Sequence, residues 1–443
     1  MSKARTLAKE MSPGLLRVME RARRNPQERQ LALAHLLDEE ALKRAYHRVR
    51  KDAAVGVDGV TKEAYGQNLE ENIQDLHRRL RTMKYRHQPI RRVHIPKDKG
   101  RTRPIGISTL EDKVLQGALC EILEAIWERD FLDCSYGFRP GRSTHDALRT
   151  LSKVVGNWGK GSWILEADIS SFFDTVDRQA VLEMLQKRIA DKSFMRHIAK
   201  CLHVGVLDGE VFTRPEEGTV QGSIISPMLG NIYLHYVLDE WFETEVKSRV
   251  KGRAELIRYC DDFIICFEHL EDAKRVMDVL GKRLSKYNLA LHPAKTRLID
   301  FRSPPWGRKG GKGNGSFDFL GFTIFWRQNR GGQGWHPSMK TKTARLSRAI
   351  RNAEELCRRQ RHRPIPEQHQ ALVIRMRGHY AYFGVNDNQR SLALLRYWVE
   401  RAWYKWLNRR CQRSRMTWKR FHNLLRDYPL PRPRVYVNLW GSS

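Results

Sequence analysis

At 443 residues the chain is long enough for two or three domains and a sizeable buried core. Its 81 Lys and Arg against 50 Asp and Glu give a formal charge of +31, which points to a polyanionic partner: nucleic acid first, an anionic membrane surface as the rival. No stretch approaches 18 uncharged apolar residues and residues 1–10 lack an apolar signal core, which excludes a spanning helix and a secretory leader.

Residues 1 to about 55 are strongly charged, with Leu31, Leu33, Leu36, Leu37, Leu42 and Tyr46 at helical spacing. Gly56-Val57-Asp58-Gly59 reads as a turn, and a helix is expected over 61–80 with Thr61 as its N-cap. Residues 90–96 alternate like a strand and pass through the basic connection 97–104 to a second strand at 105–107. Such a hairpin can clamp phosphates, although a charge run by itself is more often a solvated loop. An amphipathic helix covers 112–128. Tyr136 to Ser143 is a glycine-punctuated basic turn leading into a helix from Thr144. Arg139 and Arg142 are candidate template-phosphate contacts, against plain solvation.

Trp163 to Ala167 reads as a buried strand ending at Asp168, where the chain leaves the sheet and a carboxylate can point into a cleft. Asp174 and Asp177 suit helix starts, where the dipole favours negative charge. Residues 217–227 combine small residues with a following helix, a weak signal for close approach of a ligand. The most informative stretch is 256–267, two apolar β-branched runs around Asp261-Asp262, read as a hairpin with the two acids in its turn. Asp-Asp is a poor turn pair, since the favoured two-residue turns need φ > 0. A local rule broken without local benefit marks a functional position. Two adjacent carboxylates on a rigid tip, completed by Asp168, form an oxygen-donor set for Mg²⁺; a solvated acidic turn is the plain alternative.

A helix follows over 270–288, a glycine-rich loop over 303–316, and one strand over 317–325. From Lys342 the chain becomes basic and helical: residues 341–443 hold 23 Lys and Arg against 6 Asp and Glu. Leu395, Trp398, Val399, Ala402, Trp403, Trp406 and Leu407 read as the core stripe of a helical bundle with a basic outer face. The seven cysteines are odd in number and lack a C-x-x-C pair, which argues for a reduced, intracellular chain without a disulfide framework or structural zinc.

Taken together, Asp168 with Phe172-Phe173-Asp174, Gln221-Gly222 with Ser226-Pro227, Tyr259-Cys260-Asp261-Asp262 and Leu320-Gly321 resemble the ordered blocks of reverse transcriptases. Gly56 to Gly59, Arg103 to Ile107, Tyr136 to Gly141, Gly378 to Phe383 and the Trp-rich basic helix are similar to the blocks of group II intron-encoded reverse transcriptase/maturases, over residues 50 to about 425. Cys260 departs from the family, which usually carries Ala or another small residue there, and no block matching the C-terminal endonuclease module of longer relatives is read within these residues, so DNA cleavage is not expected of them. The resemblance implies an α+β right-hand polymerase. Residues 1–70 form a basic helical extension, 71–160 with part of 200–225 the fingers, 161–332 a palm with an antiparallel sheet, and 333–443 a basic helical thumb. It implies catalytic Asp168, Asp261 and Asp262. These would hold two Mg²⁺ ions, with Mn²⁺ as substitute, together with the carbonyl of Ile169. It further implies Lys97, Arg103, Phe173 and Gln221 at the dNTP, and Leu320 and Gly321, beside Arg139 and Arg142, at template and primer. The implied partners are structured intron RNA, an RNA template with DNA or RNA primer, dNTPs and target DNA, with no membrane. The setting would be a bacterial cytoplasm, associated with nucleoid or RNA. An RNA-binding splicing cofactor with incidental polymerase activity, or a domesticated relative used in defence or repair, are the alternatives.

Overall fold

The computed structural model describes residues 12–439 except 97–101, 159–160, 210, 214–217, 220, 306–313, 330, 333 and 411–415. Lys97 and much of the glycine-rich loop therefore lie outside the described residues. The strands are β1 (Ile90–Pro96), β2 (Thr102–Ile107), β3 (Gly161–Asp168), β4 (Val206–Asp208), β5 (Val211–Thr213), β6 (Ala254–Tyr259), β7 (Asp262–Phe267), β8 (Arg297–Arg302), β9 (Ser316–Phe319), β10 (Phe322–Gln328) and β11 (Trp335–Thr341). They form sheets of order β2-β1-β4-β5, β6-β7-β3-β8 and β11-β10-β9, amid helices, so the chain is α+β. Two compact units emerge, one of residues 1–143, 167–263 and 274–296, the other of 144–166, 264–273 and 297–443.

The first unit is built on the helix Leu110–Trp127, which is apolar nearly all round, the pattern of a helix inside a core. Leu115, Leu119, Ile122 and Trp127 are fully buried. Helices Pro13–Arg24, Glu39–Arg48 and Ser226–Leu234 pack on it. At Gly117 an added Cβ would lie 3.2 Å from that of Ala45, so this crossing calls for small residues. The expected helix over 61–80 is two helices, Lys62–Gln67 and Leu69–Arg81. Thr61 caps the first, accepting from the Ala64 amide at 3.1 Å. The break at Asn68 coincides with the Asn72 side-chain amide donating to the Tyr65 carbonyl at 2.9 Å, which takes an acceptor from the helix ladder.

A buried polar knot closes this unit around Asp112. The hydroxyls of Tyr85 and Thr109 donate to its carboxylate at 2.9 and 2.8 Å, and the His87 ring hydrogen-bonds to it through Nδ1. Cys201 Sγ lies 3.4 Å from His87 Nε2. Burial alone would lower the His87 imidazole, but Cys201 and the Asp112 bond outweigh it and push it up to about 10.

In the second unit the single strand expected over 317–325 is a hairpin, β9 and β10, turning at Leu320 (φ 50°) and Gly321 (φ 84°). Both turn residues are left-handed, the geometry that lets two strands reverse in two residues. The Tyr382 hydroxyl donates to the Leu320 carbonyl at 2.9 Å and so holds a conformation that a Leu resists. Strand β11 pairs antiparallel with β10, Met339 opposite Ile324. Sequence pattern missed it because Pro337, Ser338 and Met339 are buried in succession and break the alternation. Helices Thr343–Gln360, Ile365–Phe383, Gln389–Leu407 and Trp418–Asp427 enclose a core of Leu372, Tyr380, Leu392, Val399, Trp403 and Phe421. Of the expected stripe, Leu395, Val399, Ala402, Trp403 and Leu407 are buried, but Trp398 is exposed beside Tyr397, on the solvent side of its helix.

Candidate active site

The end of β3 is fastened to a distant segment by backbone alone. The His292 amide donates to the Asp168 carbonyl at 2.7 Å, Ile169 bridges Leu291, and the Ser170 amide donates to the Ala290 carbonyl at 2.8 Å. Ser171 is left-handed (φ 47°), which turns the chain out of the sheet immediately after the acid. The same fastening brings Lys295 to Asp168, Nζ to Oδ2 2.6 Å. Sequence reasoning passed over Lys295, which follows no local signature and becomes visible only through this long-range pairing.

The β6–β7 hairpin turns at Cys260 and Asp261, one residue earlier than expected, and Cys260 takes φ 59°. Asp262 is the first residue of β7 and is exposed. Gly137 covers the turn: a Cβ there would come within 2.7 Å of the Cys260 amide, so a glycine makes the close approach possible. Beneath it the buried Arg258 guanidinium fixes the hairpin. It donates to Asp239 through Nε at 2.7 Å, to Asn231 Oδ1 at 3.0 Å, to Ser135 Oγ at 2.8 Å and to the Cys260 carbonyl at 3.1 Å. The chain 134–136 adds two backbone bonds to this residue, Arg258 N to Cys134 O at 2.8 Å and Tyr136 N to Arg258 O at 2.9 Å. Arg258 sits three residues before the turn acid, and its positioning role was not read from the sequence.

Asp168 and Asp261 lie close enough for their charges to act on each other. Burial, opposed by a bond to its own amide, raises the Asp261 carboxyl above its ordinary value; the Asp168 charge raises it further, while Arg103 and Lys295 pull it down. Arg103 in turn donates from Nε to Gln221 Oε1 at 2.8 Å, and the Gly106 amide donates to the Gln221 carbonyl at 2.7 Å. Gly222 adopts φ 106°, with a would-be Cβ 2.5 Å from the Gly106 carbonyl, so the loop can lie against β2 only with glycine there. Phe173, half-buried and edge-on to Phe172 at 5.1 Å, accepts the Thr219 amide at its carbonyl (2.6 Å) and so adjoins the same loop. Five residues far apart in sequence (Arg103, Asp168, Gln221, Asp261 and Lys295) thus meet.

Two of the expected arginines are engaged within the first unit. Arg139, expected at template phosphate, is buried against Glu128, with its remaining donors on the carbonyls of Phe131, Leu132 and Ser135. Its cationic group is spent on folding the 131–139 turn. Arg142 is held by Asp133, donating to the Asp133 carbonyl at 3.1 Å, and lies over the Tyr136 ring. Leu320 and Gly321 form the second unit's hairpin turn. Among the described residues no three Asp, Glu, His or Cys side chains converge to hold a metal ion by themselves. The pair Asp168–Asp261 is nevertheless a donor set of the right chemistry for a hard divalent cation, which commonly takes one or two carboxylates and completes its shell with substrate phosphates. The ammonium of Lys295 on Asp168 shows that this face accepts positive charge.

A strand-end acid, a hairpin-turn acid and an arginine held by a glutamine thus come together, and the chain belongs to the reverse transcriptase family. The family model for reverse transcriptase (RNA-dependent DNA polymerase) matches residues 95–324, which include all five converging residues. The chain is 33% identical over 309 residues to protein YkfC of Escherichia coli, covering 63% of this chain and 77% of that protein. It is 36% identical over 192 residues to the group II intron-encoded protein LtrA of Lactococcus lactis, covering 43% of this chain but only 32% of LtrA. It is 35% identical over 92 residues to the nuclear intron maturase 1, mitochondrial, of Arabidopsis thaliana, 21% of this chain and 12% of that protein. Among the described residues no helix is long and apolar enough to cross a membrane.

Proposed function

We propose that this reverse transcriptase extends a DNA or RNA primer on an RNA template with dNTPs, and that it binds a structured intron RNA to assist splicing and mobility into target DNA. The reading assigns fingers to 71–160 with part of 200–225, palm to 161–332 and a basic thumb to 333–443, after an N-terminal extension at 1–70. The observation that carries it is the meeting of Asp168 and Asp261 beside the Arg103–Gln221 pair.

Asp168 and Asp261, with Asp262 and the Ile169 carbonyl, would hold two divalent ions, Mg²⁺ or in its place Mn²⁺. Such a pair neutralises charge on the attacking and leaving oxygens of an in-line displacement. Arg103 presents its exposed guanidinium to the incoming triphosphate, and Gln221 fixes the plane in which it does so. Lys97 adds a point charge on the same anion. Phe173 lies beneath the sugar, where an aromatic ring crowds a 2′-hydroxyl and selects deoxyribose. Leu320 and Gly321 support the primer end. The basic face of residues 341–443, with 23 Lys and Arg against 6 acids, grips RNA through its phosphates.

The test is primer extension on an RNA template with dNTPs or NTPs, with and without Mg²⁺. Extension with dNTPs alone, dependent on the metal and lost in Asp261→Asn, is the expected result. Extension that survives this substitution removes Asp261 from the chemistry. Binding of intron RNA should persist in the same variant and weaken steeply between low and moderate salt, because counterion release dominates phosphate contacts.

A further inference from the structure

Lys295 does more than border the acids. Its ammonium lies 2.6 Å from Oδ2 of Asp168, one of the residues that would hold a divalent ion, and the same positive charge bears on Asp261. The contact is built rather than incidental. Two backbone hydrogen bonds, which pair Ile169 with Leu291, tie 290–292 to 168–170, and the amides of Lys295 and Thr296 donate back to the His292 carbonyl at 3.1 and 3.0 Å. A short turn on rigid backbone therefore delivers the side chain. Lys295 is about half exposed, so it can leave without unpacking a core.

We propose that Lys295 is a built-in placeholder cation: it occupies Asp168 in the metal-free enzyme, keeps the two neighbouring carboxylates from repelling each other apart, and yields its place when a divalent ion arrives. The inference rests on the reading of Asp168 and Asp261 as metal ligands. Two neighbouring carboxylates without a counterion repel each other; an ammonium on a flexible stem offsets that repulsion and remains displaceable. The consequence is competition. Every ion that binds Asp168 must first break an existing ion pair, so metal affinity is lower than the carboxylates alone would give, and the site stays free of weakly bound ions until nucleotide phosphates add their own charge.

The experiment is Mn²⁺ binding to the full chain without nucleotide or nucleic acid, followed by the loss of the free-ion electron paramagnetic resonance signal at fixed ionic strength. Four proteins are compared: wild type, Lys295→Met, Lys295→Arg and Asp261→Asn, each checked for a native melting transition. Lys295→Met should bind Mn²⁺ about fivefold more tightly, the upper range for release of one solvent-accessible ion pair. Lys295→Arg should stay near wild type, and Asp261→Asn should lose the site. A residue that merely supported the fold would weaken metal binding when removed, so the direction of the change separates the two roles. Equal or weaker binding in Lys295→Met, with the site still lost in Asp261→Asn, overturns the placeholder. Equal binding by all four proteins overturns the metal site and the placeholder with it.

Discussion

Arg258 and Asp261 are three residues apart on one hairpin, yet their charges are handled in opposite ways. Arg258 is fully buried and each arm of its guanidinium has a partner: Asp239, Asn231, Ser135 and the Cys260 carbonyl. Nothing about it is available to a ligand. Asp261 feels the charge of a second carboxylate, Asp168, and the cations that offset it, Arg103 and Lys295, stand on solvent-exposed side chains. The first arrangement uses charge to set position and the second offsets charge only with exposed, displaceable cations at a position so fixed. A catalytic turn needs both, because an acid close to its own kind stays put only if something else in the hairpin is immovable.

The widest gap between the two regions should appear on neutralising each. Asp261→Asn is expected to cut primer extension by at least about a thousandfold, the several kcal/mol that metal-held charge contributes. Stability should move the other way. The folded value of Asp261 lies above its unfolded one, so its contribution is present at acid pH and lost as pH rises through the folded value. At neutral pH and in the presence of a chelator the variant should therefore melt at or above the wild-type temperature. A lower melting temperature would mean that Asp261, like Arg258, is part of the scaffold.

Arg258→Met reverses the pattern. Breaking a buried pair leaves Asp239 without its partner, at a cost of about 3–5 kcal/mol in a denaturant titration. A change below about 1 kcal/mol would show that the hairpin is held by backbone pairing alone. A smaller scaffold effect belongs to His87. Its folded value near 10 exceeds the unfolded 6.5, so its stabilisation is complete below pH 6.5 and disappears as pH climbs towards 10. The stability difference between wild type and His87→Gln should accordingly narrow from pH 6 to pH 10, read from urea midpoints. A difference that holds constant across that range would assign the knot's contribution to packing.

The contrast also explains what could be read in the sequence. Asp168 and Asp261 stand out locally, one as an acid ending an apolar strand and the other as half of an acid pair in a hairpin turn, whereas Arg103 and Gln221 came only from the family resemblance; the fold brings the four near one another. Arg139 stands in an equally suggestive block and was misread, because a buried arginine and a phosphate-binding one look alike until Glu128 is seen across from it. The turn at 260–261 was placed one residue late for a related reason. Which residue turns depends on Gly137 approaching Cys260 from 123 positions upstream, and no local propensity carries that information. Lys295 was invisible for the same cause: its role comes from pairing of 290–292 with 168–170. The hairpin at Leu320-Gly321 was hidden by its leucine, a residue that seldom adopts φ > 0 and here is held by Tyr382.

Gln221→Ala gives the smallest effect and the sharpest test of the division. The hydrogen bond from Arg103 to Gln221 is exposed, so its loss should change stability by less than about 0.5 kcal/mol. What it removes is direction. Arg103 keeps its charge but no longer has its plane fixed by an acceptor, and the bidentate match to a phosphate must then be found from a wider set of rotamers. The KM for dNTP should rise by about three- to tenfold with kcat little altered, the range of one hydrogen bond made before the ligand arrives. A drop in stability above about 1.5 kcal/mol with KM unchanged would place this pair with Arg258 among the scaffold contacts, and the open region would then shrink to the two acids and Lys295.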